Sequence, residues 1–252
     1  MKLTCLLSFT MLAAGLACAQ SSFTVDFSQC TEFAGVGPID YAKASALVPS
    51  PLQAANVADP TNPQPNGAIV VRATSCESVK INSGPAKATN LSQIGVEITP
   101  PDNTGDINNY TLIYVTDNPA LVLAFNLAGV PATYDPTLTY QFTYDATGKS
   151  GELYVKAESL AVPAYFISGT ETDPASPPQD FKANWWYLAG HRLIKQASDF
   201  PDIAFGTATV GVHTNKYSLL GNLIGGNSYS TFSILPLRGV YPSAHMQVSA
   251  SY

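Results

Sequence analysis

Short apolar runs separated by proline, glycine and asparagine are the feature of this sequence that most limits its possible folds. Residues 68–73 and 110–115 are rich in β-branched and aromatic side chains, and their length is typical of β-strands. The chain has 19 prolines and 18 glycines, and only 12% of its residues are charged, as expected for strands joined by tight turns. The sequence therefore predicts a mainly β (α+β) fold.

A few short helices are predicted between the strands. Asn118 can cap free helix amides and Pro119 loses no hydrogen bond at a first helical position, so a helix should begin here and run to about Ala128. Gly129 fits the left-handed residue that follows a helix end. Further helices are predicted over 39–47 and 217–223, long loops over 49–66 and 169–179, and further strands over 78–81, 93–98, 138–144, 152–157, 164–168, 184–188, 203–212, 229–235 and 246–249.

The N-terminus has the pattern of an export signal. Lys2 supplies a positive charge, residues 3–16 are mostly apolar, and residues 17–19 read Ala-Cys-Ala, as signal peptidase requires. We expect a signal peptide over 1–19, cleavage before Gln20, and a secreted protein with a single domain over 20–252. A retained membrane anchor is the alternative, although the apolar run is shorter than a typical membrane span. We therefore expect no membrane contact after the signal is removed.

Export would also determine the state of the remaining cysteines. Cys5 and Cys18 leave with the signal, while Cys30 and Cys76 stay in the mature chain. An even pair of cysteines in an oxidising compartment is expected to form a disulfide. Two free buried thiols are the alternative interpretation.

Two segments fit the acceptor pattern for N-glycosylation. Asn90 is followed by Leu and Ser, and Asn109 is followed by Tyr and Thr. On an export route both asparagines are predicted glycosylation sites, and each must face solvent to be modified.

Charge and motif content exclude several classes of partner. The net charge of −6 and the lack of any basic run argue against nucleic-acid binding. No phosphate-binding or dinucleotide-binding glycine motif occurs, so no cofactor is predicted. His191, His213 and His245 do not have the close spacing of metal ligands, and no metal site is predicted. The oligomeric state stays open.

Three motifs follow one another between residues 91 and 133. Residues 91–93 read Leu-Ser-Gln, residues 114–120 read Tyr-Val-Thr-Asp-Asn-Pro-Ala, and residues 129–133 read Gly-Val-Pro-Ala-Thr. Their order and spacing resemble the acetoacetate decarboxylase family, in which the corresponding motifs are Tyr-Asn-Glu, Tyr-x-Asp-Asn-Glu-Ala and Gly-Phe-Pro-Lys-Lys. The resemblance implies a closed or partly closed β-barrel that encloses a pocket for a small organic molecule.

The sequence departs from this family where the family carries its chemistry. The resemblance places Ala132 and Thr133 where the family has its lysines, including the Schiff-base nucleophile, and neither residue can form an imine. It also places Gln93 at the family's pocket glutamate. Strand alternation puts Glu97 on the same face as Gln93, so Glu97 could supply the missing acid. A solvent-exposed Glu97 is the alternative, because glutamate is rarely buried without a partner.

An aromatic cluster is the other candidate for ligand binding. Trp185 and Trp186 are followed closely by His191 and Arg192, and aromatic rings with a nearby cation suit an aromatic or carboxylated ligand. Core packing beside a solvated arginine is the alternative. The predicted catalytic residues, acting as acid, base or charge stabiliser, are Glu97, His191 and Arg192, and the predicted ligand-binding residues are Gln93, Tyr114, Trp185 and Trp186.

Two functions remain open at this point. The first is a Schiff-base-independent lyase or isomerase-type enzyme, acting on a carbonyl or polyketide-like compound as a secreted accessory of secondary metabolism. The second is a non-catalytic extracellular protein that binds or carries a small organic molecule. A structural or effector-like surface protein is a third possibility, while a sugar-cleaving enzyme is disfavoured because no acidic pair stands out. A fold by itself does not choose among them.

Overall fold

The computed structural model describes residues 22–59, 62–159 and 164–251. The predicted signal peptide lies outside these residues. The described strands are β1 (Phe23–Asp40), β2 (Val57–Asp59), β3 (Asn62–Ile81), β4 (Lys87–Glu97), β5 (Ile107–Thr116), β6 (Thr133–Tyr134), β7 (Thr139–Tyr144), β8 (Ser150–Ala157), β9 (Tyr165–Thr172), β10 (Gln179–Ala189), β11 (Arg192–Thr214), β12 (Ser228–Tyr229) and β13 (Leu235–Ser251). The helices are α1 (Tyr41–Leu47), α2 (Pro119–Ala128) and α3 (Leu219–Ile224). The predicted mainly β fold is confirmed.

Seven of the strands pair into a ring. Its order is β1, β3, β4, β5, β10, β11 and β13, and β13 pairs back onto β1. Six of these contacts are antiparallel, whereas β5 and β10 are parallel and join through four residue pairs, from Ile107 with Ala183 to Tyr110 with Trp186. Because alternate side chains of a closed sheet point inward, the ring has an interior of its own.

A smaller antiparallel sheet lies outside the ring. β11 continues past its ring partner β13 and pairs with β9 over residues 208–214, and β8 and β7 follow in turn. One core cluster joins side chains of ring strands to side chains of this outer sheet, among them Phe33, Ile69, Val71, Leu153, Val155 and Ile167. Two further clusters contain inward-facing side chains of the ring strands.

Helix α2 begins and ends at the predicted residues. The Asn118 side chain accepts hydrogen bonds from the amides of Ala120 and Leu121, and Gly129 has the left-handed backbone (φ 103°) that ends the helix. The helix buries Phe125 against inward-facing aromatic rings, with centroids 5.2 Å from Phe23 and 4.4 Å from Tyr114. The buried face of α2 therefore belongs to the same core cluster as the inside of the ring. No helix in the described ranges is long and apolar enough to span a membrane.

Several predicted boundaries were wrong, for physical reasons. β1 has 18 residues and was not predicted, although residues 23–28 alternate between apolar and polar; over residues 32–36 four of five residues are buried and the alternation is lost. The strand predicted over 229–235 is mostly a loop, because Phe232 packs on Phe33 and Tyr229 from an irregular segment. The loop predicted over 49–66 contains β2 and the start of β3, and the loop predicted over 169–179 contains the end of β9 and the first residue of β10. Helix α1 begins two residues later than expected.

The predicted disulfide is present. Cys30 and Cys76 are directly opposite one another on β1 and β3, and their sulfurs are bonded at 2.06 Å. Both residues are buried, and the link closes a segment of 46 residues. The bond therefore links β1 and β3, two neighbouring strands of the ring.

Removing this disulfide should destabilise the protein. Replacing Cys30 and Cys76 together by alanine should lower the free energy of unfolding by about 2–4 kcal/mol, because the link restricts the unfolded chain. Urea denaturation measures the difference, and Ser75→Ala on the same strand is the control, with an expected change below about 0.5 kcal/mol. Alkylation of both cysteines in the unreduced native protein would show that the bond does not form.

Candidate functional site

A cavity of about 40 Å³ lies inside the ring. One water needs at least about 10–15 Å³, so the cavity has room for roughly three waters or for a compact organic group of similar size. Most of its wall is apolar, with contributions from Val36, Val70, Phe181, Trp185, Phe200 and Leu237. Three polar side chains complete the wall, namely Glu32, Arg72 and Asn109.

The strand register brings these polar residues to the same interior. Arg72 on β3 lies opposite Ala34 on β1. Glu32 is two residues before Ala34 on the same strand and therefore points to the same face. Asn109 on β5 lies beside Trp185 on β10, which also lines the cavity. Directly paired residues of neighbouring strands share a face, so the sheet itself positions the polar part of the site.

Arg72 and Glu32 form a buried ion pair. Arg72 Nη2 is 3.6 Å from Glu32 Oε2, and the two residues are only 6% and 7% exposed. The same carboxylate oxygen accepts hydrogen bonds from the Thr74 hydroxyl at 2.8 Å and the Tyr241 hydroxyl at 3.1 Å. Burial is the largest single influence and opposes the positive charge, but Glu32, Tyr241 and Tyr114 together outweigh it and raise the pKa of Arg72. Burial also raises the pKa of Tyr241 well above its ordinary range, which keeps it a donor.

Two polar atoms of the cavity-lining residues have no hydrogen-bond partner within the described chain. They are Arg72 Nε, a donor, and Asn109 Oδ1, an acceptor. Leaving a buried polar group unpaired costs about 1–3 kcal/mol, so such atoms are rare in folded proteins. Both atoms have almost no accessible surface of their own, but both belong to side chains of the cavity wall, so a ligand that reaches them would supply the missing partners.

Gln93, a predicted ligand-binding residue, is part of a separate polar network. Its Nε2 donates to Thr111 Oγ1 at 2.9 Å and to Gln196 Oε1 at 3.3 Å. Gln196 also donates to Thr111, at 3.2 Å. β4 and β11 do not pair with each other, so the bond from Gln93 to Gln196 crosses the interior of the ring. Gln93 is not among the residues that line the cavity.

The two tryptophans lie on opposite faces of β10. Trp185 is buried and lines the cavity, and Gly95 leaves room for it, because a Cβ on Gly95 would lie 2.8 Å from its ring. Trp186 faces away from the cavity and donates through Nε1 to Asn108 Oδ1 at 2.8 Å. Trp185 is therefore the one residue of the predicted site that lines this cavity.

The structure does not bring the three predicted catalytic residues together. Glu97 is half-buried opposite Asn109, and burial raises its pKa. His191 is exposed in the turn between β10 and β11, and Arg192 donates to the carbonyl of Ala128 at 3.4 Å. Arg192 is paired with Ala189 on β10. Ala189 lies four residues, or about 13 Å, beyond Trp185, which is the residue paired with Asn109. None of the three lines the cavity.

The remaining predicted positions also lie away from the cavity. Tyr114 is buried against Phe125, and burial raises its pKa. Ala132 is buried after α2, where its amide and carbonyl both bond to the Asn126 side chain at 3.0 Å. Within the described ranges no lysine lines the cavity, and no group of three acidic, histidine or cysteine side chains could hold a metal ion.

The two predicted glycosylation sites differ in exposure. Asn109 is 1% exposed and lines the cavity, so a glycan there is incompatible with this fold and the prediction needs correction. Asn90 is half-buried, and its Nδ2 donates to Asp117 Oδ2 at 3.0 Å. Glycosylation of Asn90 stays a prediction.

Sequence reasoning missed the polar residues of the cavity. One signal was available, because Arg72 is the only charge in the apolar run 68–73, and a buried arginine requires a nearby carboxylate. Its partner Glu32 lies on β1, which was not predicted as a strand, and Asn109 was interpreted as a glycan acceptor. The pairing depends on strand register, which the sequence pattern does not reveal.

No known protein family and no curated protein matches this chain in sequence. Solved structures do match it in fold. One is an acetoacetate decarboxylase-like enzyme from Sphingomonas wittichii RW1, with a TM-score of 0.51 and 12% identity over 91% of both chains. Another is the enduracididine biosynthesis enzyme MppR in complex with the condensation product of pyruvate and imidazole 4-carboxaldehyde, with a TM-score of 0.53 and 12% identity over 91% of this chain and 88% of that one. The predicted acetoacetate decarboxylase-like fold is confirmed.

A second buried ion pair lies outside the cavity, between the ring and the outer sheet. Arg238 Nη1 on β13 is 3.1 Å from Glu171 Oε2 on β9, and its guanidinium lies 3.7 Å from the centroid of the Phe142 ring. Glu171 Oε1 has no hydrogen-bond partner within the described residues. Burial, which outweighs the attraction of Arg238, therefore raises the pKa of Glu171 to about 7.

The pH dependence of stability should reveal this group. Between its ordinary pKa of 4.5 and its folded pKa of about 7, Glu171 binds a proton more readily in the folded state. Its contribution to stability is therefore complete below about pH 4.5 and is lost as the pH rises through 7. Relative to Glu171→Gln, the free energy of unfolding of the wild type should fall by about 1–3 kcal/mol over this interval.

Denaturant titrations at several pH values measure this difference. Glu152→Gln on β8 is the matched control, because Glu152 is exposed, and its difference from the wild type should stay flat. A wild-type protein that gains stability over Glu171→Gln as the pH rises would show that the attraction of Arg238 dominates instead.

Proposed function

We propose that this protein is exported and processes a small carbonyl compound inside its ring without forming a Schiff base. The observation that carries the proposal is the buried Arg72–Glu32 pair in a cavity of an acetoacetate decarboxylase-like fold whose other wall residues, apart from Asn109, are apolar. The size of the cavity favours a compact compound over an extended polyketide. The signal pattern of residues 1–19 and the disulfide between Cys30 and Cys76 support export.

The cavity residues suit proton transfer next to a carbonyl group. Arg72 Nε would donate to the carbonyl oxygen and stabilise the negative charge that develops on it. Glu32 would accept the proton as the C–H bond breaks, and the electron pair of that bond would form the enolate. Returning the proton to another carbon gives an isomerase, and expelling a leaving group gives a lyase. Neither outcome requires a lysine.

A non-catalytic carrier is the second candidate, and three contacts of Glu32 favour it. Glu32 Oε2 already accepts hydrogen bonds from Thr74 and Tyr241 and lies beside Arg72. These three neighbours hold the carboxylate in place, as a site that positions a ligand requires. A protein that only binds its ligand would need this pair for positioning and not for proton transfer.

Substitution of Glu32 should separate the two candidates. Binding of small carbonyl compounds is followed by tryptophan fluorescence, which should respond in the wild type and in Trp186→Phe but not in Trp185→Phe, because only Trp185 lines the cavity. For a compound that is turned over, Glu32→Gln should lower kcat by about 10²–10⁴-fold while binding persists.

Glu97→Gln is the control, since Glu97 does not line the cavity and turnover should stay near wild type. A carrier would show no turnover in any variant and a changed affinity in Glu32→Gln alone. A fluorescence response that survives Trp185→Phe would place the ligand elsewhere and contradict the proposal.

Schiff-base trapping should fail with this protein. Borohydride added with a β-keto acid reduces an imine to a stable adduct, and this requires a lysine beside the bound carbonyl. No lysine of the described residues lines the cavity, and Ala132 stands at the position that the family resemblance gives to the nucleophile. Intact mass spectrometry should show no more adduct on the native protein than on the unfolded protein treated in the same way. An adduct on a lysine of the native protein alone would refute a Schiff-base-free mechanism.

A further inference from the structure

We infer that the cavity selects an uncharged carbonyl compound that also carries a hydrogen-bond donor, such as an amide or an enol, over the corresponding carboxylate. This inference rests on the proposed function, because it assumes that the ring cavity is the ligand site. It adds the charge and the hydrogen-bonding pattern of the ligand.

The charge balance of the cavity carries the first part of the argument. Arg72 is the only cationic side chain of the wall and Glu32 the only anionic one, and they are paired at 3.6 Å. The pair has no net charge. A ligand carboxylate would add an uncompensated negative charge to a site whose remaining wall is apolar apart from Asn109, and burying such a charge is costly.

The unpaired atoms carry the second part. Arg72 Nε needs an acceptor, which a carbonyl oxygen supplies, and Asn109 Oδ1 needs a donor, which an N–H or O–H group supplies. A carboxylate has acceptors only, so it would leave Asn109 Oδ1 unpaired and would repel it. A ligand that carries an acceptor and a donor could supply a partner for each atom.

A pair of compounds with the same shape tests the inference. Acetoacetamide and acetoacetate have the same number of non-hydrogen atoms, but the amide is neutral and can donate. The wild-type protein at pH 7 should bind acetoacetamide at least about tenfold more tightly than acetoacetate, as measured by calorimetry and by the fluorescence of Trp185 in a Trp186→Phe background.

Two buried glutamates provide a matched pair of variants. Glu32→Gln removes the anion beside Arg72, so it should reverse the preference in favour of acetoacetate. Glu171→Gln removes the anion of the other buried ion pair, which is not in the cavity, and should leave the preference unchanged. Cooperative thermal unfolding of each variant verifies that it is folded.

Asn109→Ala tests the second contact if Glu32→Gln fails to fold. This substitution should weaken the binding of acetoacetamide by about tenfold. The binding of acetone, which has a carbonyl but no donor, should stay unchanged. Equal or tighter binding of acetoacetate by the wild type would overturn the inference while leaving the proposed function intact. If neither compound nor acetone changes the fluorescence of Trp185, the proposed function is wrong and the inference falls with it.

Discussion

The parallel contact between β5 and β10 is the constraint on which the rest of the structure depends. It turns an open sheet into a ring through four residue pairs. Asp106 secures one end of this contact, because its carboxylate accepts from the amide of Lys182 at 2.7 Å and its amide donates to the carbonyl of the same residue at 2.8 Å. Without this closure, the inward side chains of β5 and β10 would face water, and no cavity would exist.

The ring interior combines apolar packing with charges that contribute little to stability. Replacing a buried ion pair by apolar side chains is often neutral or stabilising, whereas removing one partner is strongly destabilising. The pair of Arg72 and Glu32 is therefore hard to explain by folding alone, especially since Arg72 Nε has no hydrogen-bond partner in the described chain. Its position in the cavity wall is the reason for proposing a role in binding or chemistry.

The sequence was informative where local chemistry decides the structure. Asn118 and Gly129 predicted both ends of α2, and Cys30 and Cys76 predicted the disulfide. The cavity was not predictable in the same way, because it depends on which strands are neighbours and in what register. Arg72 and Glu32 are 40 residues apart in the chain, and only the pairing of β1 with β3 brings them together. Strand alternation puts neighbouring residues such as Trp185 and Trp186 on opposite faces, but it does not say which face is inside.

The pairing of β1 with β13 also determines when this protein can finish folding. Gln247 donates to the carbonyl of Phe23, 224 residues earlier in the chain. Contacts between such distant residues form slowly, because the entropy of closing a long loop is lost before the contact stabilises anything. During synthesis the edge of β1 that faces β13 stays unpaired until nearly the whole described chain has emerged, and unpaired strand edges promote aggregation. The nascent chain therefore exposes this strand edge for longer than a protein whose neighbouring strands are consecutive in sequence.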